Sequence, residues 1–223
     1  DIAYFYDARG AMTLVKEGAS NRATYCFDDA GGLTKTLLGN SSYTEYLYNG
    51  AGNLTLLSNK KSDATVISAF AYGVDDTGNR TKMSISGSAY TSADVAYSYD
   101  DAYQLTGEVR TGGNAYSQYF YYDPNGNRTK STLGGADTTY LYNTGDQLTS
   151  ETAGGLTTTY LYDANGALTK SDDGTTVNAY TYDYDGYQTA FDTTGTSNDG
   201  TYAYDADKRR IDKVVDSVTT KYF

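Results

Sequence analysis

One ten-residue pattern recurs down the whole chain: aromatic–x–aromatic–Asp/Asn–x–x–Gly–x–Leu–Thr. Clear copies run from Tyr4-Phe5-Tyr6-Asp7, from Tyr25-Cys26-Phe27-Asp28 and from Tyr160-Leu161-Tyr162-Asp163. Aligned on the second aromatic, the copies fall at Tyr6, Phe27, Tyr48, Tyr72, Tyr99, Tyr122, Tyr142, Tyr162, Tyr182 and Tyr204, at intervals of 20 to 27 residues. A repeat this short is one supersecondary unit that buries its apolar face only by stacking on its neighbours.

The acidic or amide position is the most regular: Asp7, Asp28, Asn49, Asp75, Asp100, Asp123, Asn143, Asp163, Asp183 and Asp205. Three residues on stand Gly10, Gly31, Gly52, Gly78, Gly126, Gly166 and Gly186, with Tyr103, Asp146 and Lys208 as exceptions. An Asp or Asn side chain accepts from backbone N–H groups ahead of it, and Gly takes a left-handed position with no Cβ clash. This predicts a type I turn closed by a residue of positive φ. Pro124, the single proline, follows Asp123, where its fixed φ suits the second turn position.

The flanks read as strands. Tyr–x–Tyr puts two aromatics on one face, and a recurrent Thr after the turn leads a second strand. Segments such as Asp172-Asp173-Gly174-Thr175 and Gly112-Gly113-Asn114 return the chain. Composition agrees: 26 Tyr against no Trp and no His, and 24 Asp against only Glu17, Glu45, Glu108 and Glu151, favour turns and strands over helix. The expected fold is all-β. It comprises about ten hairpin repeats of roughly 22 residues in a continuous curved or spiralling antiparallel sheet. Residues 1–223 are expected to form a single array, truncated within a repeat at both ends and excised from a longer chain. Stacked repeats would bring equivalent tyrosines into an aromatic ladder. A wall of Tyr rather than Phe, each phenol needing a partner, suggests a polar interior.

These residues resemble the YD-repeat (RHS-repeat) family, which includes bacterial Rhs proteins, the C components of insecticidal toxin complexes, and teneurins. The motif is complete at Tyr160 to Thr169, and its Gly-Asn-Arg-Thr variant occurs at Gly78–Thr81 and Gly126–Thr129. The positions that carry the resemblance include Tyr6, Asp7, Gly10, Asp28, Gly31, Tyr48, Tyr122, Asp123, Gly126, Tyr162, Asp163 and Gly166. The resemblance implies hairpins spiralling into a hollow shell, which houses a toxic domain in the bacterial relatives and belongs to an adhesion ectodomain in teneurins. Those shells use more repeats than ten. The Asp-Pro-x-Gly-Leu block that precedes self-cleavage does not occur in these residues, so the resemblance does not carry autoproteolysis to this chain.

Little here suits catalysis: there is no His, and paired carboxylates such as Asp28-Asp29 coincide with turn starts. The lone Cys26 reads as a small packing residue. A net charge of −11 argues against nucleic acid and anionic membrane, and no apolar run is long enough to span one as a helix. No cofactor is expected. Calcium is the candidate metal, on glycine turns such as Asp183-Tyr184-Asp185-Gly186 and Asp172-Asp173-Gly174, although these lack the known calcium-loop patterns. Asn40, Asn53, Asn79 and Asn127 fit the glycan-acceptor sequon, three of them through the repeat's own grammar. The sequence thus reads as a non-catalytic structural segment of a secreted or cell-surface shell or filament, bacterial by composition. Its expected partners are adjoining repeats or further copies, paired through open strand edges. The alternatives are the wall of a toxin-enclosing cage and a glycan-binding adhesin.

Overall fold

The computed structural model describes residues 1–194, 199–215 and 217–222. Among them there is no helix. Twenty-one strands run from β1 (Ile2–Tyr6) to β21 (Val218–Lys221), each antiparallel to its partners. They form two compact units, Asp1–Tyr119 and Phe120–Phe223. Within each unit the strands form a meander, consecutive strands pairing in chain order.

All ten motif turns close in the same way. The N–H of the Asp or Asn donates to the carbonyl four residues on, as in Asp7 to Ala11 and Asp163 to Ala167, both 2.9 Å. The N–H of the fourth residue returns to the first carbonyl, as in Gly10 to Asp7 at 3.0 Å. In eight of the turns the side-chain oxygen accepts from two more N–H groups, as Asp163 Oδ1 takes Asn165 and Ala167, both at 2.9 Å, while Asp28 and Asp205 accept from one, Gly32 and Arg209. The seven motif glycines have φ between 81° and 91°. The three exceptions, Tyr103, Asp146 and Lys208, adopt φ of 62°, 58° and 67° despite their side chains. The turn geometry therefore prevails over residue preference at those sites.

The left-handed residue is followed by a β-bulge, and the motif Thr is its extra residue. In β13 (Ala136–Tyr142) against β14 (Leu148–Ala153), Leu141 pairs with Ser150 and Tyr142 with Leu148, leaving Thr149 over. Its hydroxyl donates to the Leu141 carbonyl at 3.1 Å. Thr13, Thr34, Thr55, Thr129, Thr169 and Thr189 do the same to the residue eight positions back.

This register corrects the alignment of the fourth copy. Val74 of β7 (Val66–Val74) pairs with Arg80 across the bulge, so Val74 holds the second aromatic position. Tyr72 is therefore the first aromatic of its repeat, not the second. The aromatic-free pair Gly73-Val74 hides the motif from a reading by residue type.

Burial is thin. Among the described residues the buried apolar side chains are Ala23, Ile85, Ala93 and Val95, all in the first unit. The chain exposes 14060 Å² for 24.1 kDa. Two separate compact domains of half that mass would expose about 12,000 Å² together. Each unit is a sheet with both faces largely in contact with solvent.

The tyrosine face as candidate functional site

Strand alternation puts the two motif aromatics on one face. In β15 (Leu156–Tyr162), Thr158, Tyr160 and Tyr162 are half-buried while Thr159 and Leu161 point the other way and are exposed. The second tyrosine has a repeated task. Tyr162 Oη donates to the Leu148 carbonyl at 2.9 Å, on the strand before it and in the preceding repeat. The ladder between β14 and β15 ends at Ser150–Thr159, so the phenol takes up a carbonyl beyond the last rung. The same bond runs from Tyr48 to Leu33, Tyr99 to Arg80, Tyr142 to Arg128, Tyr182 to Leu168 and Tyr204 to Gln188, at 2.9–3.0 Å. Each acceptor is the first strand residue after the preceding turn. These phenols therefore find backbone partners, and a polar interior is not needed to explain Tyr over Phe.

The aromatic ladder takes a different form from the expected one. Each repeat adds two strands, so equivalent tyrosines lie about 9.6 Å apart, beyond ring contact. The ring pairs among the described residues are Phe70–Tyr90, Tyr180–Phe191 and Tyr187–Tyr204, none between equivalent positions. The side chains that fill the gaps include two that composition alone did not bring out. Glu108 and Glu151 lie directly across from the first tyrosines Tyr97 and Tyr140. Each carboxylate accepts from a phenol of the next strand, Tyr116 in one case and Tyr160, at 3.0 Å, in the other. The bond to Glu108 pushes the Tyr116 phenol up to about 12, and burial followed by the Glu151 bond does the same for Tyr160. At neutral pH these phenols are fixed donors.

Arginines are the other filler. Arg80 stacks on Tyr72 at 4.0 Å. Arg128 lies near both Phe120 and Tyr140, at 5.8 and 4.6 Å, and Arg210 near Tyr202 and Tyr222, at 5.6 and 5.1 Å. The signal in sequence was Arg in place of Leu directly before the motif Thr at 80 and 128; Arg80 covers one ring, and Arg128 bridges rings of successive repeats.

The remaining candidates separate. Asp7, Asp28, Asp123 and Asp163, with Gly10, Gly31, Gly126 and Gly166, form turns, while Tyr48 and Tyr162 make seam bonds. Tyr6, on β1, is 60% exposed. Tyr122 lies at the end of β11 (Tyr116–Tyr122) and is half-buried. Asn40 sits exposed at a turn, its amide oxygen accepting from Ser42. Asn53 is half-buried in the Asn49 turn, its N–H bonded to the Asn49 side chain. The Asn79 amide is held by Asp75 and Thr77, and that of Asn127 by Asp123 and Asp146. Asp183 Oδ1 accepts from Asp185 and Tyr187 N–H, and Asp173 Oδ1 from Thr175 and Thr176. Among the described residues no three His, Cys, Asp or Glu side chains converge as a metal site. Cys26 is exposed, on the face opposite the tyrosines, and so is not a packing residue.

Comparison with known proteins agrees with this geometry. No curated protein is similar enough in sequence to match the chain. Among solved structures, it is similar to TcdB2-TccC3, with a TM-score of 0.59 at 16% identity, covering 99% of this chain and 14% of that one. TcdB2-TccC3 without its hypervariable C-terminal region gives 0.55 at 18% identity, covering 96% and 12%. A Tc holotoxin pore of Photorhabdus luminescens gives 0.52 at 14%, covering 96% and 14%. At such identities the likeness shows the fold, and the chain spans only about a seventh of those proteins. The family model described as Teneurin YD-shell matches residues 72–223, and the chain belongs to the teneurin YD-shell family.

Proposed function

We propose that this chain is a non-catalytic segment of a shell wall, in a protein that is secreted or displayed at the cell surface. The observation that carries the reading is the seam bond. Six repeats, those of Tyr48, Tyr99, Tyr142, Tyr162, Tyr182 and Tyr204, donate a phenol to the backbone of the one before, so the sequence is organised to continue an array rather than to close a core. Among the described residues only four apolar side chains are buried, so bonds between strands carry much of the cohesion. Its proposed partners are adjoining repeats or further copies, joined through exposed edges such as β1, where Ile2, Tyr4 and Tyr6 are 61%, 55% and 60% exposed.

A second reading, the wall of a cage around a toxin, is favoured by the similarity to Tc toxin components. In that case the tyrosine face would line the interior. Its phenols and stacked arginines are already engaged by their neighbours, which suits a wall that does not grip an unfolded chain. Electron microscopy of the chain, alone and within its full-length protein, tests both. Hollow particles support the shell, and density enclosed within them supports the cage. Monodisperse single sheets in both preparations would refute both readings.

A further inference from the structure

We propose that Asn49-Gly50 is a self-modifying site, at which the folded turn promotes loss of the Asn49 amide. The chain has three Asn-Gly pairs, at 49–50, 125–126 and 165–166. In this reaction the Gly backbone nitrogen attacks the Asn Cγ. A C–N bond forms, the amide leaves as ammonia, and the nitrogen's proton passes to water. Water then opens the resulting succinimide to aspartate or isoaspartate.

The turn treats the three pairs differently. At Asn125 and Asn165 the attacking nitrogen is already a donor: Gly126 N–H bonds to Asp123 O at 3.0 Å and Gly166 N–H to Asp163 O at 3.1 Å. Asn125 is further held by its amide donating to Asp146 at 3.1 Å. Asn49 instead starts its turn, so Gly50 follows at a position whose N–H makes no turn bond. The space where a Gly50 side chain would stand is open. The turn also places two donors on the reacting carbonyl: Asn49 Oδ1 accepts from Ala51 N–H at 3.1 Å and Asn53 N–H at 2.9 Å. Donors fixed on a carbonyl oxygen stabilise the negative charge that builds there during attack.

Asn143 provides an internal comparison. Its Oδ1 accepts the same two bonds, from Gly145 and Gln147, and its amide also donates to Gln147 Oε1 at 2.8 Å, a hold that Asn49 lacks. The next residue is the β-branched Thr144, which hinders the attacking nitrogen and restricts the backbone. The aspartate formed at position 49 would be the residue that eight of the ten turns already carry. The isoaspartate product lengthens the backbone by one methylene within the tightest part of the turn.

The test is peptide mapping by mass spectrometry of the folded chain aged in mildly alkaline buffer, beside the same chain held in denaturant. In the folded chain Asn49 should convert about tenfold faster than Asn125 or Asn165, a ratio equivalent to ~1.4 kcal/mol. In denaturant the three should converge. Thr144→Gly combined with Gln147→Ala, which frees the Asn143 amide, should create a second fast site at Asn143, and Gly50→Ile should silence Asn49. Equal rates in the folded chain, or no conversion at Asn143 in the Thr144→Gly, Gln147→Ala double variant, would overturn the proposal.

Discussion

Removing a single oxygen tests the seam bond directly. Tyr162→Phe deletes the donor to Leu148 O and leaves the ring in place, and Phe27 shows that a phenyl ring fits this position in another repeat. A net intramolecular hydrogen bond contributes about 1 kcal/mol, and the half-buried carbonyl beyond the last rung of the ladder loses its partner when the hydroxyl goes. For a unit of this size, with a urea dependence of about 1.5–2 kcal/mol per molar, the midpoint should fall by about 0.5–0.7 M. The reverse change, Phe27→Tyr, should raise it by a similar amount, the new phenol reaching the Met12 carbonyl at the equivalent place. Tyr184→Phe is the control, because that side chain is fully exposed, and it should move nothing. Urea unfolding followed by circular dichroism reads all three. If Tyr162→Phe is as silent as Tyr184→Phe, and Phe27→Tyr brings no gain, the phenols do not hold the repeats together.

The non-glycine turns offer a second test. Lys208→Gly should stabilise by about 0.5–1 kcal/mol, since the left-handed cost of a side chain exceeds the chain entropy of Gly. Gly186→Ala should cost about 1 kcal/mol through the backbone alone, because its Cβ would meet no neighbour, and thermal melts of both variants decide this. Acid should loosen the turns selectively. The Asp7 carboxyl is held below its usual range chiefly by the Ala11 N–H, Asp75 by the Thr77 hydroxyl and Asp205 by the Arg209 N–H. A depressed carboxyl contributes stability that is present above its unfolded value, about 3.9, and lost as pH falls through the folded one. Amide protection, relative to the unfolded chain at the same pH, should therefore fall at these turns below about pH 4, while the Asn49 turn, which has no carboxyl at its start, responds less. At the alkaline end the sign reverses. Tyr116 and Tyr160, raised to about 12, contribute stability below the ordinary phenol value, and it is lost as pH rises toward theirs. Phenolate absorbance should show Tyr116 and Tyr160 titrating late; Glu108→Gln should return Tyr116 most of the way to the ordinary range, whereas Glu151→Gln should lower Tyr160 only in part, because burial still raises it.

The turn was legible in the sequence because its chemistry closes within five residues. An Asx side chain, two turn residues and a left-handed glycine, repeated ten times, leave few alternatives, and even the three exceptions marked the positions that adopt positive φ without glycine. Alternation of Tyr–x–Tyr gave the face, since strand side chains can only alternate. What the tyrosines do was not legible, because each phenol finds its acceptor 14 to 19 residues back. That partner is defined only once the strands have paired and the seam ladder has stopped short of the turn. The same non-local register replaced stacked tyrosines with rings spaced two strands apart, moved the fourth repeat's second aromatic position to Val74, and left Cys26 in solvent. It also gave the two glutamates their phenol partners. Local hydrogen bonding fixes the repeat, whereas contacts between repeats depend on how many residues each strand spends before its partner, which a motif does not record.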